Sequence, residues 1–261
     1  MRLPIFQVDA FTDKLFSGNP AAVIPMLDSL SEELMQSIAL ENNLSETAFI
    51  DLSKQPYVIR WFTPTTEVDL CGHATLASAK VLFDKILDEP TNEINFQSKS
   101  GALRVFKKDN LIFLDFPSDT SSEVLDKAFI EDLLGFQPNH LFKGRDDYLA
   151  VFSSEDIIKN LKPNFLKISQ IKSRGLIATA PGDQVDFTSR CFYPQLGVNE
   201  DPVTGSAHTL MIPYWSKILG RHEMVAQQLS KRGGILYCEH QEERVLIGGK
   251  TAIYMNGEIN L

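Results

Sequence analysis

The chain carries one pattern twice. Arg60-Trp61-Phe62-Thr63-Pro64 runs on to Glu67-Val68-Asp69-Leu70-Cys71-Gly72-His73-Ala74-Thr75, and Arg190-Cys191-Phe192-Tyr193-Pro194 runs on to Glu200-Asp201-Pro202-Val203-Thr204-Gly205-Ser206-Ala207-His208. Both copies read Arg-x-Phe-x-Pro, then an acidic turn, then a glycine that opens an Ala-containing apolar helix. The arginines stand 130 residues apart and the glycines 133, about half of a 261-residue chain. An internal period of that size predicts two similar half-molecules, each a domain in its own right. Each copy also ends at a helix N-terminus, where free N–H groups and the helix dipole receive negative charge. Two such termini facing one cleft would make a site for an anionic small molecule.

Composition narrows the partners. A net charge of −9 and a pI near 5.1 argue against nucleic acid, which calls for a basic face. No apolar stretch approaches the length of a membrane span, and the start Met1-Arg2-Leu3-Pro4-Ile5-Phe6-Gln7-Val8-Asp9 meets an acid before any signal-like apolar run. Cys71, Cys191 and Cys238 are odd in number and widely spaced, as expected of reduced thiols in the cytoplasm and not of a disulfide framework or a zinc site. Neither glycine turn continues into Gly-Lys-Ser/Thr, so a nucleotide triphosphate is not expected.

Periodicity predicts an α+β chain. Strands are expected at 3–11, 21–24, 45–50, 57–62 and within 92–116, with a helix between them that Ser29 and Glu32 begin as a capping box and Asn42-Asn43 ends. The segment Ala74 to Ile86 is apolar nearly all round, which predicts a helix buried inside a wrapped sheet. Pro117-Ser118-Asp119-Thr120-Ser121-Ser122 is polar and turn-rich and marks a linker, dividing the chain into domains 1–117 and 118–261. The second half predicts a helix from about 122 to 134, strands near 148–152, 175–179 and 185–192, and an apolar helix Ala207 to Leu219 with Pro213 early in it. Strands at 235–238 and 245–249 precede a last one, Thr251 to Met255, closed by an Asn256-Gly257 turn. The fold class is therefore α+β, with two pseudo-symmetric domains, each a mixed sheet rolled into a barrel around a central α-helix.

Several residues could carry chemistry. Gly72 and Gly205 let the backbone approach a ligand closely. His73 lies in the first turn of a helix, where the dipole opposes an imidazolium and favours a neutral ring. Cys71 is either a thiolate base at that positive end or a small buried hydrophobe. Glu46 opens an otherwise apolar strand; buried near the glycine turns, it would suit proton transfer. Glu67, Asp69 and Glu200 could do the same work, and spacing does not choose among them.

The sequence resembles the PhzF family, phenazine-biosynthesis-like isomerases related in fold to diaminopimelate epimerase. The resemblance rests on Val8-Asp9-Ala10-Phe11-Thr12, Gly18-Asn19-Pro20-Ala21-Ala22-Val23 and Asn43-Leu44-Ser45-Glu46-Thr47-Ala48-Phe49. It continues with Arg60 to Pro64, Leu70 to Thr75 and Glu200 to Ala207, in family order along most of the chain. It implies a cofactor-independent isomerase with no metal, acting on a small carboxylate in an interdomain cleft by general acid/base transfer through Glu46. It implies catalytic roles for Glu46, His73 and Asp201, and substrate contacts from Gly72, His73, Gly205, Ser206 and Asn19. Cysteine at position 71 is similar to the epimerase, but Asp201 stands where a second thiol would be. The alternatives are an epimerase or racemase using Cys71 and Asp201, or a non-catalytic metabolite-binding protein. The expected partner is the small-molecule carboxylate substrate alone, with no nucleic acid and no membrane, in a cytoplasmic protein whose expected assembly is a homodimer.

Overall fold

A computed structural model of the chain describes residues 1–88 and 91–261. It divides into two compact units, Met1–Asp115 with Gly248–Leu261, and Phe116–Ile247.

The first unit contains β1 (Arg2–Ala10), β2 (Asn19–Met26), α1 (Glu32–Asn42), β3 (Glu46–Asp51), β4 (Tyr57–Phe62), β5 (Glu67–Val68), α2 (Gly72–Val81), β6 (Glu93–Ser98), β7 (Gly101–Lys108) and the start of β8 (Leu111–Pro117). β1 is antiparallel to β2, β2 parallel to β3, β3 antiparallel to β4, β4 parallel to β6 and β6 antiparallel to β7. Every residue of α2 except Lys80 is buried, as its all-round apolar sequence demands. A π-turn over Leu82–Ile86 follows α2, so the expected helix to Ile86 changes geometry over its last five residues. The N-cap of α1 is Ser31, whose hydroxyl accepts the Leu34 N–H at 3.3 Å, and Asn43 ends the helix at φ 48°. Ser29, the expected cap, donates instead to Asp51 at 3.2 Å.

The C-terminal strand runs unbroken from Thr251 to Asn260 and pairs antiparallel with β1, Ile5 opposite Gly257 and Phe6 opposite Asn256. The expected Asn256-Gly257 turn is absent because those residues sit in the ladder with their hydrogen bonds supplied by β1. The same pairing corrects the domain boundary: the last strand completes the first unit, not the second.

The second unit contains the end of β8, then β9 (Ser122–Glu123), α3 (Phe129–Leu134), β10 (His140–Lys143), β11 (Asp147–Val151), α4 (Glu155–Asn160), α5 (Phe165–Ile168), β12 (Gly175–Pro181), β13 (Phe187–Tyr193), β14 (Val198–Asp201), α6 (His208–Leu219), β15 (Glu223–Gln228), β16 (Gly234–Gln241) and most of β17 (Arg244–Gly249). The helix expected from 122 to 134 forms only over its last six residues; Ser122–Glu123 pairs with β10 instead. From β10 to β16 the pairings alternate antiparallel, parallel, antiparallel, parallel, antiparallel, skipping the short β14. This is the order and direction seen from β1 to β7, so the repeated sequence marks a repeated topology. α6 is less enclosed than α2, since Ile218 in its last turn is 57% exposed. Pro213 lies near the middle of α6, not early in it. With no N–H at that position, the Thr209 carbonyl loses its intrahelical donor, and it accepts the Asp119 N–H at 3.1 Å instead. Among the described residues no helix is long and apolar enough to cross a membrane.

Candidate functional site

The repeated Arg-x-Phe-x-Pro explains how each glycine turn is built. Residues two apart on a strand share a face, so Arg60 lies over the Phe62 ring at 5.1 Å and Arg190 over Phe192 at 5.2 Å. Each arginine then grips the glutamate of the acidic turn with two bonds: Arg60 to Glu67 at 2.7 and 2.7 Å, Arg190 to Glu200 at 2.7 and 2.9 Å. Glu67 and Glu200 are thereby committed to structure, which removes two of the alternatives for the proton-transfer acid.

In the first unit, β2 and β3 are parallel and begin at the same end, with Ala21 opposite Glu46. The N-terminus of α2 meets them there. His73 Nε2 lies 3.0 Å from Glu46 Oε2, and His73 Nδ1 lies 3.2 Å from the Asn19 amide nitrogen. The Cys71 sulfur sits 3.5 Å from Nδ1 and 4.0 Å from Nε2. Glu46, expected as an acid near the glycine turns, is brought onto His73, and its Oε2 is buried without an aligned donor. Asn19, expected to meet substrate, is fully buried with its amide on His73. Glycine at 18 supports this placement: its φ is +67°, and a Cβ there would stand 2.2 Å from the Ala10 carbonyl oxygen and 2.6 Å from Thr12 Cγ2. Gly18→Ala should therefore destabilise the protein by about 1–3 kcal/mol. Urea melts would show this as a lower midpoint with an unchanged slope, whereas an unchanged midpoint would mean the turn relaxes freely.

Electrostatics separates the two histidines. Burial favours a neutral His73 ring, but Cys71 and Glu46 outweigh it and raise the ring's proton affinity well above the ordinary 6.5. Burial, reinforced by Glu46, pushes the Cys71 thiol up to about 11. The helix dipole favours a neutral ring, and the Glu46 carboxyl 3.0 Å from Nε2 works against it over a shorter distance. His208 in the second unit goes the other way: burial lowers it to about 4, and its Nδ1 donates to the Thr204 carbonyl at 2.8 Å. Ring-15N NMR should find His73 doubly protonated at pH 7. The stabilisation its raised proton affinity supplies should be complete below about pH 6.5 and disappear as pH rises through the folded-state midpoint. A ring already neutral at pH 6.5 would contradict the pairing.

Glu46, Cys71 and His73 present three donor atoms within 4.8 Å of one another. The carboxylate lies on Nε2, and the sulfur lies nearer Nδ1 than Nε2.

In the second unit, Asp201 ends β14 and its carboxylate accepts the Thr204 hydroxyl at 2.5 Å. Gly205 and Ser206 lie in a turn just before α6, which starts at His208 and not at the glycine. Neither Gly72 nor Gly205 has a positive φ, so close backbone approach is the reason for glycine there that still applies. Gln228, unmarked in the sequence analysis, is fully buried. Its amide donates to the Asp201 carbonyl at 2.7 Å and accepts the Thr204 N–H at 2.8 Å and the Cys191 thiol at 3.6 Å. A glutamine at a strand end carries no periodic or motif signal, and only the fold brings it to the turn.

Comparison with known proteins agrees with this architecture. The family model for phenazine biosynthesis-like proteins (PhzC-PhzF) matches residues 8–257. An uncharacterized isomerase of Pseudomonas aeruginosa is 48% identical over 261 residues, covering 100% of both chains. The crystal structure of a PhzF-family phenazine biosynthesis protein from Enterococcus faecalis matches with a TM-score of 0.96 at 45% identity, over 100% of both chains. A predicted epimerase from Pseudomonas aeruginosa shares the fold, with a TM-score of 0.76 at 18% identity over 98% of this chain and 99% of that one.

Proposed function

Because this chain belongs to the phenazine biosynthesis-like family and is an isomerase, we propose that it isomerises a small carboxylate metabolite without a cofactor, by proton transfer through Glu46. The supporting observation is the Glu46–His73 pair. Glu46 Oε2 stands 3.0 Å from His73 Nε2 at the N-terminus of a buried helix, while Glu67 and Glu200 are spent on arginines. In this reading Glu46 takes a proton from carbon and returns it at another position. The charge that develops meets the His73 cation and the first-turn N–H groups of Gly72 and His73, which have no intrahelical acceptor. In the second unit the Gly205–Ser206 turn precedes α6, with the Asp201 carboxylate on the Thr204 hydroxyl.

An epimerase that used Cys71 as one of two bases needs a thiolate. A thiol pushed up to about 11 by burial is a poor source of one. The test is a panel of small carboxylates incubated with the enzyme in D2O and followed by proton NMR. Loss of a C–H signal accompanied by a positional isomer is the expected result. Stereochemical scrambling without positional change would favour the two-base reading, and binding with neither would defeat the proposal.

A further inference from the structure

The β6–β7 and β15–β16 hairpin turns grip the two glycine turns in the same way. The Ser100 hydroxyl donates to the carbonyl of Asp69, three residues before Gly72. The Ser230 hydroxyl donates at 2.7 Å to the carbonyl of Pro202, three residues before Gly205. Ser100 and Ser230 stand 130 residues apart, the spacing of the two arginines, and both turns carry a Ser-Lys-x-Gly run, at Ser98–Gly101 and Ser230–Gly233. Each hairpin adds a further grip. Lys99 reaches Glu67 in the first unit, and Gln228 takes the Asp201 carbonyl and the Thr204 N–H in the second. The carbonyl that each serine holds belongs to the segment between the arginine-bound glutamate and the glycine. The arginine fixes one end of that segment and the serine its middle, so the residues just beyond it have little freedom left.

We propose that Ser100 is a positioning residue for the Glu46–His73 pair, and that Ser230 plays the same part for the Gly205 turn. Ser100 acts by holding Asp69, and through it the turn from which Cys71, Gly72 and His73 project. Calling Ser100 a positioning residue rests on the assignment of proton transfer to Glu46 and His73; the grip itself does not.

The test reads the protein alone, with no substrate, so its outcome is independent of whether the catalytic assignment holds. Ser100→Ala should lower the His73 ring-15N titration midpoint, because a looser turn lengthens the contact with Glu46. It should also speed exchange of the Thr75 N–H, which bonds the Cys71 carbonyl at 3.1 Å, by roughly 2–10-fold, the share of one hydrogen bond. Ser100→Thr keeps a hydroxyl and should restore both. A Ser100→Ala protein that melts earlier yet keeps the wild-type His73 midpoint and Thr75 exchange would overturn the inference, reducing the serine to a stabilising contact. Ser230→Ala gives an independent reading should the first variant fold poorly. Exchange of the Thr204 N–H should rise by the same factor, and wild-type exchange there would refute the shared role.

Discussion

Glu46→Gln is expected to lower turnover of any substrate found for this isomerase by roughly 10²–10⁴-fold, the usual contribution of a positioned general base. Glutamine keeps the shape of the side chain and cannot take a proton. Its amide can still lie against His73 Nε2, where Glu46 Oε2 now stands at 3.0 Å, so the pocket should persist and affinity should fall less than turnover. A second consequence separates loss of the base from loss of fold. Removing the carboxylate removes the counter-charge of a buried imidazolium, so the His73 midpoint should drop toward or below its ordinary value. A variant that turns over at the wild-type rate would end the assignment and pass the role to Asp201. A variant that loses turnover but keeps a high His73 midpoint would show that Glu46 acts on substrate and is not the partner that holds the proton on the ring.

What the sequence allowed one to read divides along physical lines. The all-round apolar run of α2 depends on neighbours close in the chain, and it was legible. So was the duplication, because two copies of a turn must solve the same backbone problem with the same residues. The acid–base pair was half legible: Glu46 and His73 could be named from the resemblance, but their 3.0 Å approach depends on β2 and β3 being parallel. Of the two influences on the His73 charge only one was legible, since the dipole of its own helix is a local fact and the carboxyl beside it is not. Gln228, Ser100 and Ser230 were invisible for the same reason: each acts on a segment about 25–30 residues away in the chain. The C-terminal strand was misplaced because Asn-Gly is a strong turn signal locally. Only the distant partner β1 overrides it.

Arg190→Ala should cost about 3 kcal/mol of stability, the lower end of what breaking a buried ion pair costs. The lower end applies because the pair is only partly enclosed, with Arg190 13% and Glu200 21% exposed. The loss has three parts. The Glu200 carboxylate keeps its charge and loses a bidentate partner. The carbonyls of Ile158 and Leu161 lose the guanidinium donor that reaches them at 3.3 and 3.2 Å. Phe192 loses the cation over its ring. Removing Glu200 as well should recover part of the deficit, since the stranded carboxylate is then gone; Arg190→Lys should recover little, because an ammonium cannot make the two-bond fork. The equivalent Arg60→Ala should cost less. Glu67 retains Lys99, and Arg60 is itself 26% exposed, so its removal leaves a carboxylate that is still paired. Urea unfolding of the four variants measures all of this. If Arg60→Ala and Arg190→Ala destabilise equally, the clamps are interchangeable anchors and Lys99 carries no share of the first. If Arg190→Ala is the costlier, as expected, the two copies of one sequence pattern have diverged in how much of the fold each one holds.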